Sequence, residues 1–252
     1  MKDKMHRKLA LNMSWEFYFI VSLVALTVFG GFFKHAHHQA PSPAQVKYYS
    51  LSIAYSQIAN ALYEFQKKYN AMPGDMIEVE KLPKCKEMKC NGGDGNGVIG
   101  NGKFEPIKLY KDERHLFWLH LYYADLLPEY KPSEATTNWA GGYEVPTYKS
   151  ALHVYTHLEN NKIPGFYSAD KLHPNRTYLI LSRDRIGDLM PERFLSLTPA
   201  QAKAVDKNFD EGDPFYGVVQ AGGKSDGINQ EDKTKILYNT NIKDNCLYLI
   251  VQ

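Results

Sequence analysis

The side chains with chemistry to offer gather in one short stretch. Cys85-Lys86-Glu87-Met88-Lys89-Cys90 is followed at once by Asn91-Gly92-Gly93-Asp94-Gly95-Asn96-Gly97-Val98-Ile99. In an oxidising compartment Cys85 and Cys90 can close as a local disulfide. A zinc site would need more ligands, and the third cysteine, Cys246, supplies one near the other end of the chain. Spacing alone leaves both readings open. Asp94 and Asn96 set oxygen side chains at alternate positions ahead of a glycine and an apolar residue. The middle of a calcium loop has this pattern, because hard oxygens surround the ion and glycine permits the sharp turn. With Gly97 at the glycine position, the first ligand position falls on Gly92 and the closing one on Lys103, while Glu105 lies two residues late. A plain turn is therefore the competing reading. Asp94 and Asn96 are the candidate calcium ligands, and no other cofactor is expected.

The histidines are less well placed. His35, His37 and His38 stand beside Pro41 and Pro43, with no framework to fix a metal geometry, and read as a solvated hinge. His115 and His120, five apart, point to different faces of a helix. His153 and His157 share one side of an alternating, strand-like segment and read as surface residues rather than a zinc pair. Neighbouring acids such as Asp184 with Asp188, or Asp210 with Glu211, read as solvated surface. The sequence contains neither a phosphate loop nor H-E-x-x-H. The expectation is a protein that is not an enzyme. An anchored hydrolase using its histidines is the remaining catalytic alternative, since such a group must be held by its neighbours. A net charge of +2 over 252 residues is too small and too dispersed for a nucleic-acid footprint.

The elements that would position these residues begin with an anchor. Lys2, Lys4, Arg7 and Lys8 precede the apolar run Trp15 to Phe33, close to the roughly 20 residues that span a bilayer. Positive flanks stay cytoplasmic, so residues 1–14 are expected inside, 15–33 across a membrane, 34–43 as a hinge, and 44–252 as a head on the outer side. A signal peptide is the alternative to a retained anchor, although Lys34-His35-Ala36-His37-His38-Gln39 offers no A-x-A-like cleavage site. Glu16 sits either at the headgroup level beside Trp15 or against a positive charge from a neighbouring subunit.

From Ala44 to Asn70 the period is helical, with Leu51, Ala54, Tyr55, Ile58, Leu62, Phe65 and Tyr69 on one stripe, and Pro73-Gly74-Asp75 stops it. A second helix is expected over Glu113 to Leu127. Strands are expected over Ala151 to His157, Thr177 to Ser182, Tyr216 to Ala221 and Cys246 to Val251, the last two joined by a polar loop. Thr198-Pro199-Ala200-Gln201 has the composition of a capping box and starts a helix that stops at Gly212. The fold class is α+β, with helices against an antiparallel sheet.

These pieces, in this order, resemble the type IV pilin and type II secretion pseudopilin group. The resemblance is carried by Phe65-Gln66-Lys67-Lys68-Tyr69-Asn70-Ala71-Met72-Pro73-Gly74-Asp75-Met76, by Gly93-Asp94-Gly95-Asn96-Gly97-Val98-Ile99 followed by a helix with Trp118 and Leu119, and by Leu197-Thr198-Pro199-Ala200-Gln201-Ala202. Val205-Asp206, Asp210-Glu211-Gly212-Asp213-Pro214 and Gly217-Val218-Val219, with Cys246 near the end, extend it over almost the whole chain. It implies a pilin-like fold, in which an N-terminal transmembrane and amphipathic helix packs on an antiparallel sheet. The implied role is a single-pass subunit of the bacterial inner membrane, its head 44–252 in the periplasm, that assembles into, or primes, a pilus or pseudopilus. Its implied partners are other pilin or pseudopilin subunits and the prepilin peptidase. Glu16 would then pair with a neighbouring N-terminal amine in the filament core. If Glu16 is the fifth mature residue, cleavage falls between Leu11 and Asn12, where the group usually has glycine before the cut. The alternative is a membrane-anchored periplasmic binding or sensing module that does not polymerise.

Overall fold

In the computed structural model of the chain, the described residues are 43–100, 107–139, 141–146, 150–157, 176–182, 195–223, 227–232, 235–244 and 247–251. The expected leader, the apolar run with Glu16, the hinge up to residue 42, and Cys246 lie outside them. The chain divides into Met1–Ser42 and Pro43–Gln252, and the second unit carries everything below. No helix among the described residues is long and apolar enough to cross a membrane.

Helix α1, Pro43–Tyr69, opens the head. Pro43 is its first residue, where the missing amide donor costs nothing. Steps of three and four bury Leu51, Ala54, Ile58, Ala61 and Phe65, while Tyr55, Leu62 and Tyr69 flank them half-buried. The other side keeps Ile53 and Tyr63 exposed. Asn70 leaves the helix at φ 51°, and its amide closes on Gln66 O at 2.8 Å. Two 3-10 turns, Val79–Lys81 and Pro83–Lys86, carry the chain to the glycine-rich segment.

Helix α2, Glu113–Tyr123, is shorter than expected and is almost wholly buried from Glu113 to Leu121. Ala124 ends it, and Asp125 takes φ 60° to turn the chain. Helix α3, Pro132–Asn138, follows, and the capping box at Thr198 starts α4, Pro199–Phe209, with Thr198 and Gln201 bonded reciprocally at 3.3 and 3.0 Å.

The strands are β1 Tyr143–Val145, β2 Ser150–His157, β3 Arg176–Ser182, β4 Val219–Gly223, β5 Ile228–Asp232, β6 Lys235–Tyr238 and β7 Leu247–Val251. Five of them form one antiparallel sheet in the order β1-β2-β3-β7-β4. The expected polar loop before β7 instead holds the β5–β6 hairpin. Register aligns Leu152, Leu181, Leu249 and Ala221 across four strands, and all four belong to the core shared with α1 and α2. The adjacent row, His153, Ile180, Ile250 and Gln220, points to the opposite face and is buried as well. His153 is therefore a core residue, not the surface residue that its polar type suggested. Burial on both faces is what an alternating strand cannot announce.

Candidate metal centre

The turn after α1 is fixed by close backbone packing. Gly74 has φ +90°, and a Cβ there would lie 2.4 Å from Glu113 O, so the helix end sits directly on the first turn of α2. Its amide donates to His120 Nδ1 at 2.9 Å, and His120 Nε2 lies 2.9 Å from Asn91 O. Because Nδ1 accepts, the ring proton is on Nε2 and goes to Asn91 O. Burial pushes the His120 pKa down to about 4, against the opposing pull of the Asn91 carbonyl and the Asp75 carboxylate.

The glycine-rich segment runs back along this turn. Gly93 N donates to Met76 O at 2.9 Å and Gly95 N to Asp75 O at 3.0 Å. A Cβ on Gly93 would meet Gly74 O at 2.2 Å, so only glycine permits this approach. At the far end Ile99, fully buried, donates its amide to Thr156 Oγ1 on β2 at 2.9 Å. Cys85 and Cys90 are disulfide-bonded, with Cα atoms 5.6 Å apart, and close the segment on its other side.

Three carboxylates converge inside this frame. Asp75 comes from the helix stop, Asp94 from the glycine-rich segment and Glu113 from the first turn of α2; one oxygen of each lies within 4.8 Å of the others. Glu113 accepts from Asp94 N and Gly100 N, both at 2.9 Å. Asp75 Oδ2 accepts from Gly97 N at 3.0 Å, while its Oδ1 is buried with no hydrogen-bond partner among the described residues. Asp94 Oδ1 accepts from Asn96 N at 3.0 Å. Burial raises the Glu113 pKa; the two amides oppose this, and the Asp94 and Asp75 carboxylates push the same way as burial. Among the described residues, none of the three pairs with Lys or Arg. The neighbouring Arg114 binds Asp112, the N-cap of α2, at 2.6 Å. An all-oxygen, multiply negative cluster has the donor set of a hard cation.

Sequence pattern picked out Asp94 but neither Asp75 nor Glu113, which lie in distant segments and read there as a helix stop and a helix start. Asn96, the other expected ligand, braces the turn: its Oδ1 accepts from Val98 N at 2.7 Å, and its Nδ2 donates to Asp94 Oδ2 at 2.9 Å.

Other titratable groups lie elsewhere. His115 accepts Tyr110 N at Nδ1, 2.7 Å away. His153 has neither ring nitrogen bonded among the described residues, and burial lowers its pKa to about 4, helped by the Arg114 charge. Asp206, fully buried at the end of α4, accepts from Tyr238 Oη at 2.6 Å and Gly212 N at 3.0 Å. Burial raises its pKa to about 8, with Asp210 adding to the rise. Asp210, read from sequence as solvated, is half-buried and accepts from Val219 N at 2.8 Å. A cleft of about 220 Å³ between Tyr130, Glu134, Tyr143 and Glu144 is small for a ligand site and is apart from all of these groups.

No protein-family model, curated protein or solved structure matches this chain.

Proposed function

We propose that the chain is a pilin-like subunit, held by a single membrane helix over Trp15 to Phe33, that assembles into or primes a type IV pilus or type II secretion pseudopilus. The N-terminus lies in the cytoplasm and the head in the periplasm of a bacterial cell. Its work is anchoring and packing, and no reaction is required of it.

One observation carries this reading. The first element of the head among the described residues is a 27-residue helix that, from Leu51 to Phe65, buries one stripe and leaves Ile53 and Tyr63 exposed. In sequence it lies shortly after the apolar run; it ends at Tyr69, just ahead of Pro73-Gly74-Asp75, in a head that carries a five-stranded antiparallel sheet. At about 1.5 Å per residue such a helix is roughly 40 Å long, and the head packs along it from Leu51 to Phe65. The Cys85–Cys90 disulfide suits an oxidising compartment. Glu16, near the start of the anchor, is the assembly residue. Its carboxylate would pair with the N-terminal amine of a neighbour once the leader is removed.

In-cell crosslinking through single cysteines placed in the anchor tests the reading, together with mass spectrometry of the mature N-terminus. Crosslinked ladders and a chain that begins near Asn12 are expected. Strictly monomeric protein with Met1 intact would overturn assembly and leave the non-polymerising periplasmic module in its place.

A further inference from the structure

We propose that Asp75, Asp94 and Glu113 form a calcium site that clamps the end of α1 to the first turn of α2. The clearest sign is Asp75 Oδ1, because Asp75 is only 7% exposed and this oxygen has no hydrogen-bond partner among the described residues. A buried carboxylate oxygen left without a donor is costly, and a bound cation removes that cost. Geometry agrees with this. Calcium holds its oxygens at 2.3–2.6 Å, so ligands of one ion lie no more than about 5 Å apart, and the three carboxylates meet that limit at 4.8 Å.

The backbone has already aimed these groups. Amides of Asp94 and Gly100 fix Glu113, and the amide of Gly97 fixes Asp75. Each bonded oxygen keeps a second lone pair for an ion. Asp94 is exposed and gives the ion a way in, while the other two are buried. With only oxygen donors, zinc and copper are poorly served. Magnesium, which prefers to keep several waters, suits a half-buried protein cage less than calcium does.

The ligands come from three segments that meet only in the folded head, so calcium binds the native state alone and stabilises it. This inference stands apart from the pilin-like reading, since a clamp of this kind serves a polymerising head or a monomeric one.

The test uses the full chain in detergent, stripped with chelator and then titrated with calcium chloride or magnesium chloride, followed by thermal melts and calorimetry. At calcium 100-fold above its Kd, the melting temperature should rise by about 5–10 °C, and magnesium should act only at much higher concentration. Asp94→Asn, at an exposed position, should melt like the wild type in chelator and bind calcium at least ten times more weakly. Asp75→Asn should be more stable than the wild type in chelator and indifferent to calcium. Absence of calorimetric binding up to about 10 mM calcium, or a full calcium response in Asp94→Asn, overturns the site. Equal responses to the two ions overturn its assignment to calcium.

Discussion

His120 accepts a hydrogen bond from the amide of Gly74 at 2.9 Å, joining two residues 46 positions apart through a fully buried imidazole. The ring is a spacer that satisfies the helix-stop amide on one side and the Asn91 carbonyl on the other. It stacks near Phe65, with ring centroids 6.4 Å apart, so the last turn of α1, the glycine-rich segment and α2 share one contact.

Replacing that ring strands two buried backbone groups. His120→Ala should therefore cost about 2–4 kcal/mol in urea unfolding. A loss under about 0.5 kcal/mol, the range of ordinary surface changes, would show that the bridge is unimportant.

Gly74→Ala meets both a left-handed backbone and the Glu113 carbonyl 2.4 Å away. A loss of more than about 2 kcal/mol is expected, with the melting transition shifted down in proportion. An alanine variant of wild-type stability would mean that the turn can rearrange.

His153 stays neutral in the folded head down to about pH 4, whereas an unfolded imidazole takes a proton near pH 6.5. Between these values the unfolded chain binds the extra proton, so this group removes stability as pH falls. In NMR spectra the His153 ring carbons should not shift between pH 8 and 5. A midpoint near 6.5 would place the ring in contact with solvent.

Asp206 has the opposite sign. Its folded carboxyl keeps its proton to about pH 8, while the unfolded group loses it at the ordinary carboxyl value of 3.8. Stability from this group is full below the unfolded value and lost as pH rises through the folded one. Asp206→Asn should flatten the decline of stability on the alkaline side, measured as urea midpoints from pH 5 to 9. Parallel profiles for variant and wild type would rule out this group as the cause.

The Cys85–Cys90 bridge closes a very short loop, so its contribution should be modest. Chain-entropy reasoning gives about 2 kcal/mol for a loop of this length. The double variant Cys85→Ser with Cys90→Ser should lose about that much in urea, and addition of a reductant should change the wild type but not the variant.

Local signals were legible in the sequence where one segment decides its own structure. The stripe from Leu51 to Phe65 gave α1, the Thr198 to Gln201 spacing gave the cap of α4, and the run Tyr178 to Leu181 marked β3. The β5–β6 hairpin is not legible in the sequence because Asn229, Gln230, Glu231 and Asp232 carry no apolar alternation, and pairing with a partner strand is not a property of one segment. The burial of His153 is hidden for a related reason: polar type stands in for exposure only when one sheet face meets water. At the acidic cluster, Asp94 announced itself through its glycines, whereas Asp75 and Glu113 become its neighbours only after α1 docks on α2.

The position of β7 sets the order in which the head can be completed. It is the last strand in chain order, yet it lies between β3 and β4, which make no direct pairing with each other. A chain that emerges N-terminus first must therefore hold β3 and β4 with open edges until Leu247 arrives. During that interval the nascent head is vulnerable to pairing with other chains, and a stop codon before residue 247 would leave the β1-β2-β3 sheet and a β4 strand with no partner rather than a shortened head.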